Sequence, residues 1–114
     1  MRIYATTWVP DPLPVGCDIL VRLRQPTDRA TREPIVEGTA SLSLIDSGGS
    51  QVGASVAMEY SAAEPRQFRG TLPSDLDLTP GETYYVEISL VSSAGVVGYW
   101  RVRRVAAYVG HNRL

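Results

Sequence analysis

The chain has no lysine. All eleven of its basic residues are arginine, set against twelve acidic ones, for a formal net charge of -1. No large field of either sign surrounds such a molecule. That argues against nucleic acid or an anionic membrane as the main partner, because a basic face normally gathers both. Cysteine is as scarce. A single Cys17 excludes an intrachain disulfide and any metal site of the Cys-x-x-Cys type. The one histidine, His111, sits beside Gly110 in the terminal stretch Val109–Leu114. Nucleophilic catalysis needs a base held in a rigid pocket by a third group, and a tail histidine does not offer one. No apolar run approaches the ~18 residues of a membrane span. No phosphate-cradling GxxxxGK[ST] or GxGxxG loop occurs. The expectation is therefore a non-enzymatic chain with no catalytic residue, no cofactor and no metal. The opening MRIYATTWVPDP lacks the apolar block of a signal peptide, so synthesis in the cytoplasm is expected.

What the sequence does have is alternation. Its 114 residues suit one domain, and a chain of that size buries roughly 65% of its unfolded surface. Period-two patterning recurs over Ile3–Val9, Cys17–Arg24, Gly38–Ile45, Gln51–Tyr60, Arg66–Leu72, Thr83–Val91 and Val96–Val109. Cys17, Ile19, Val21 and Leu23 share one parity, which places Cys17 in the core. Pro10, Pro12 and Pro14 make an extended connector without ladder donors. Gln25–Val36 reads as a polar loop, and Asp46–Ser50 and Ser92–Gly95 read as turns. The alternation slips at Arg103–Arg104, which predicts a bulge there. The expected architecture is all-β, a sandwich of about seven antiparallel strands with no helix. It divides into an N-terminal strand and proline arm (1–16), the sandwich (17–109) and a tail (110–114).

The stretch Leu78-Thr-Pro-Gly-Glu-Thr-Tyr-Tyr-Val86 stands just before an alternating strand. A tyrosine there can put its ring in the core and its hydroxyl on backbone that has no ladder partner. Leu78 would plug the core, and Pro80-Gly81 would make the bend. This resembles the tyrosine corner of fibronectin type III and other immunoglobulin-like domains, with Tyr84 as the corner residue. The antibody-type Cys…Trp…Cys core is absent, and the first third matches no fibronectin pattern. The run FRGTLP, then LTPGETYYVEI, then GYWRV resembles the small immunoglobulin-like modules of bacteriophage virion proteins. That resemblance implies a structural subunit of a capsid or tail (decoration, head–tail joining or tail component), incorporated into a virion and acting by packing. Self-association or contact with other phage proteins is then expected, with the proline arm and the tail docked on adjacent chains.

Candidate contact residues follow from parity. Tyr85 points away from Tyr84, toward solvent or a partner, and Tyr99 points away from Trp100. Arg101 and Arg103 share a strand face, with Glu87 opposite as a possible partner. Arg29 and Arg32 lie on the polar loop, a common place for contacts. Outward aromatics serve either a protein interface or a sugar-stacking platform. The alternative function is thus a carbohydrate- or surface-ligand-binding module. With Asn112 as the one asparagine, the protein contact is preferred. Asp75, Asp77 and Glu82 offer oxygens to calcium, but no full ligand set is indicated.

Overall fold

A computed structural model describes residues 2–108. It contains eight strands: β1 (Ile3–Trp8), β2 (Leu13–Pro14), β3 (Ile19–Asp28), β4 (Gly38–Asp46), β5 (Val56–Ser61), β6 (Gln67–Leu72), β7 (Thr83–Ser92) and β8 (Val97–Ala107). They hydrogen-bond in one continuous sheet of order β1-β3-β6-β5-β4-β7-β8-β2. Every pair is antiparallel except β2 with β8. The all-β class is as expected. The division into two separate sheets is not, because β5 changes partner along its length. Val56–Met58 pair with β4, and Glu59–Ser61 pair with β6. The sheet curls there into a half-barrel, and its two halves face each other across one core. Gln51–Ser55 adds only an isolated bridge between Ile45 and Gln51, so the expected long fourth strand is shortened to β5.

Alternation explains the core. In β7, Tyr84, Val86, Ile88 and Leu90 point inward and are buried; in β6, Phe68, Gly70 and Leu72 do the same. Val21, Leu23, Leu42, Leu44, Val86, Ile88 and Leu90 are fully enclosed. Burying each such side chain contributes about 1.5–3 kcal/mol.

Cys17 is exposed and not part of the core. The chain turns between β2 and Ile19, so the shared parity of Cys17 and Ile19 does not run along one strand. No bulge interrupts β8, whose register with β7 is unbroken from Thr83↔Val105 to Val91↔Val97. Arg104 instead occupies an inward position at the sheet's end. Its guanidinium donates to the carbonyls of Pro10 (3.2 Å) and Val9 (3.4 Å). That is why the apolar alternation breaks there: an arginine stands where an apolar residue was expected, and it holds the proline segment. The irregularity lies in β3, where Gln25 has φ 51 and the pairing with β1 shifts between Tyr4 and Thr6. The polar loop is shorter than expected, since β3 continues to Asp28 and Pro34 bridges back to Thr27.

The proline arm belongs to this domain. Leu13 is completely buried, and β2 pairs with Ala106 and Ala107. The arm therefore docks on its own chain. The tail expected to dock alongside it lies outside the described residues.

The tyrosine corner is present. The Thr79 N–H donates to the Tyr84 hydroxyl at 2.8 Å, and Leu78 and Tyr84 are buried. Gly81 has φ +89, a left-handed conformation that side chains rarely adopt. Its N–H donates to the Ala106 carbonyl at 2.7 Å. The bend is thereby tied to the end of β8. At the other end of that strand Trp100 lies against Gly98. A Cβ at Gly98 would stand 2.5 Å from the indole and 3.1 Å from Ile3 Cδ1. This is where β8 packs toward β1.

Two stability outcomes follow. Tyr84→Phe leaves the Thr79 N–H without its partner, and urea unfolding should show a loss of about 1–2 kcal/mol. An unchanged midpoint would remove the hydroxyl from the account. Gly98→Ala forces the rigid Trp100 ring aside, and the same assay should show a loss of about 1–3 kcal/mol.

Candidate functional site

The outer face of β4, β7 and β8 carries four of the six candidate contact residues. Register sets Tyr85 opposite Arg103, Glu87 opposite Arg101, and Ser89 opposite Tyr99. The side chains connect along the face. Arg101 Nε lies 3.5 Å from Glu87 Oε2, and its guanidinium sits 4.1 Å from the centre of the Tyr85 ring. The Tyr99 hydroxyl donates to the Glu87 carboxylate, which pushes the phenol's pKa above its ordinary value of 10.0. Glu87 is thus a hub holding Arg101 and Tyr99, while Tyr85 holds Arg101 from below. Toward β4 the face is flat and small: Ser41 and Ser89 share a hydrogen bond of 2.8 Å. Toward the hairpin and the far end it is apolar, with Val97 58%, Val91 42%, Tyr99 48% and Val105 38% exposed. The Tyr85 ring carries a guanidinium and is not a bare stacking platform for a sugar.

Arg29 and Arg32 lie elsewhere, beyond the end of β3 on the other half of the sheet. The Arg29 guanidinium sits 4.5 Å from the Tyr4 ring. Arg32 has φ 62, and its N–H donates to the Asp28 carbonyl at 2.7 Å. Asp28 organises this turn. Its carboxylate accepts from the Ala30 N–H (2.9 Å) and pairs with Arg2 Nε (3.3 Å). The Ala30 hydrogen bond first, and Arg2 with it, hold the carboxyl below its ordinary 3.8. Beside the turn lies a cleft of about 200 Å³, with Glu33, Ile35 and Ser93 among its lining residues. The six candidates therefore form two separate groups.

A third cluster was not singled out in the sequence. On the outer face of β1, β3 and β6, Trp8 pairs with Arg22, Arg22 with Arg69, and Arg24 with Gln67. Arg22 lies 5.5 Å from the centre of the Trp8 ring. The signal that could have revealed it, Arg22 and Arg24 at one parity, was visible. The partner Arg69 was not, because it arrives through the register of a distant strand.

Among the described residues no group of three His, Cys, Asp or Glu could hold a metal ion. Asp77 and Glu82 line a cleft of about 510 Å³ with Asp46, but Asp75 does not join them. His111 lies outside the described residues.

No protein-family profile matches the chain, and no curated protein sequence does. Solved structures that share the fold include the following two. CopC from Methylosinus trichosporium OB3b aligns with TM-score 0.59 and 21% identity, covering 98% of each chain. A DUF4426 family protein from Pseudomonas aeruginosa PAO1 aligns with TM-score 0.64 and 11% identity, covering 96% of this chain and 94% of that one. At these identities the likeness is one of fold. These neighbours overturn the expectation of a bacteriophage virion subunit and the capsid and tail roles attached to it. The physical reason is that the corner motif reports how the chain crosses between the halves of the sheet. It says nothing of what the domain assembles into.

Two titrations test the electrostatics. Glu87→Gln should return the Tyr99 phenol toward its ordinary range, read as a lower midpoint in the alkaline absorbance titration. The raised pKa contributes stability that is present at neutral pH and lost as pH rises through the folded value. Asp28 has the opposite sign: its lowered pKa contributes above the unfolded value and is lost on acidification below about pH 4. Asp28→Asn should flatten that acid limb of a thermal-stability profile, and an unaltered limb would count against the assignment.

Proposed function

We propose that the chain is a non-catalytic protein-recognition domain, and that the outer face of β7 and β8 is its contact surface. The observation that carries the reading is the linked set Tyr85–Arg101–Glu87–Tyr99. Its members are oriented by one another before any partner arrives, and exposed Val91, Val97 and Val105 flank them. Interface centres are enriched in tyrosine and arginine, and a pre-oriented side chain loses less rotamer freedom on binding. A half-barrel that buries one face of its sheet leaves this other face outward, its backbone held by the unbroken β7–β8 pairing. The partner is another protein subunit, and neither nucleic acid nor a membrane.

The test begins with a photo-reactive amino acid at Val97, used to crosslink and identify the neighbour in the source cells. The purified partner is then titrated calorimetrically. Tyr99→Ala and Arg101→Ala should each weaken binding by about 2 kcal/mol, as anchors do. Thr71→Ala, on the other half of the sheet, should leave it unchanged. Equal affinities for all three variants would sink this assignment.

A further inference from the structure

The outer face of β1, β3 and β6 is independent of the β7–β8 surface. We propose that it is a second docking site, taking an acidic segment of a partner polypeptide through Arg22, Arg24 and Arg69. Three observations lead there.

The first is electrostatic. Arg22 stands directly opposite Arg69 in the β3–β6 register, and like charges so placed repel. Among the described residues neither makes an ion pair. Glu59 is Arg69's register neighbour on β5 but does not reach it as a salt bridge. A carboxylate set between the two guanidiniums turns the repulsion into two charge-assisted hydrogen bonds.

The second is unmet hydrogen bonding. The Nε atoms of Arg22 and Arg24 are buried without a partner, and so is Oε1 of Gln67, a residue only 7% exposed. Gln67 sits between Arg24 and Ser61 across the sheet. The face therefore holds unmet donors and an unmet acceptor together. Those three atoms are enclosed by the chain itself, so an incoming carboxylate meets the accessible parts of Arg22 and Arg69 instead.

The third is shape. A cleft of about 370 Å³ opens beside Arg69, lined by Leu20, Ala57, Glu59, Gly70 and Thr71 as well. It offers room for one small side chain beside Arg69. A nucleic acid fits less well. Arg22 already lies over Trp8 and Arg29 over Tyr4, where bases would stack.

The experiment is a fluorescence-anisotropy titration of the whole chain with a labelled peptide of alternating Glu and Leu at low salt. Saturable binding is expected. Arg22→Gln and Arg69→Gln should each weaken it at least about tenfold, which is about 1.4 kcal/mol. Arg103→Gln, on the β7–β8 face, should leave it unchanged. Arg69 is exposed, so Arg69→Gln keeps the fold, and its Tm should equal or exceed that of the parent because a repulsion is gone. Absence of saturable binding overturns the proposal. So does an equal loss in Arg103→Gln, or tighter binding of oligothymidylate or a sulfated oligosaccharide than of the peptide. An equal loss in Arg103→Gln would move the peptide to the β7–β8 surface, whereas the other outcomes leave the reading of that surface as it stands.

Discussion

The change of partner within β5 is the constraint on which the rest of the molecule depends. A flat sheet of eight strands would leave both of its faces in water. Because Val56–Met58 belong to one half and Glu59–Ser61 to the other, the sheet must fold over between them. Folding over gives every strand one dry side and one wet side. The dry sides merge into a single core that runs from Ile3 to Ala106. The wet sides become two outward faces that cannot see each other, and each is free to develop its own chemistry.

Those two faces solve the same problem differently. Both use arginine beside an aromatic ring, a pairing that suits a planar, weakly hydrated cation. On β7 and β8 the arginine also finds a carboxylate, and the group is closed. On β1, β3 and β6 it does not, and the face is left with charge to satisfy. With no lysine in the chain, every positive group is a forked donor of fixed shape, so geometry decides which of them are answered from within.

Local features were legible in the sequence and distant ones were not. The corner was readable because Leu78, Gly81 and Tyr84 lie within one turn and act on neighbouring backbone. The inward residues of β6 and β7 were readable because alternation survives within a strand. Cys17 misled because parity persists across a turn while direction does not. Arg104 misled because a charged residue facing inward looks like a fault in the pattern until the carbonyls it serves are seen. The Arg22–Arg69 pairing depends on how β3 slides against β6, and no run of residues records that. The phage resemblance failed for a related reason: short motifs that shape a fold recur wherever that fold is used.

The parallel clip of Leu13 and Pro14 against Ala106 and Ala107 also shapes how the domain can be made. An early segment and the last described strand complete each other, and Arg104 fastens the same junction. On a ribosome the early strands emerge long before their closing partner. Until β8 is released, Leu13 has no pocket and the edge of β7 is bare. Such a domain stays open until β8 has emerged and then closes in one step. Its exposure to misassembly is therefore concentrated in the nascent state.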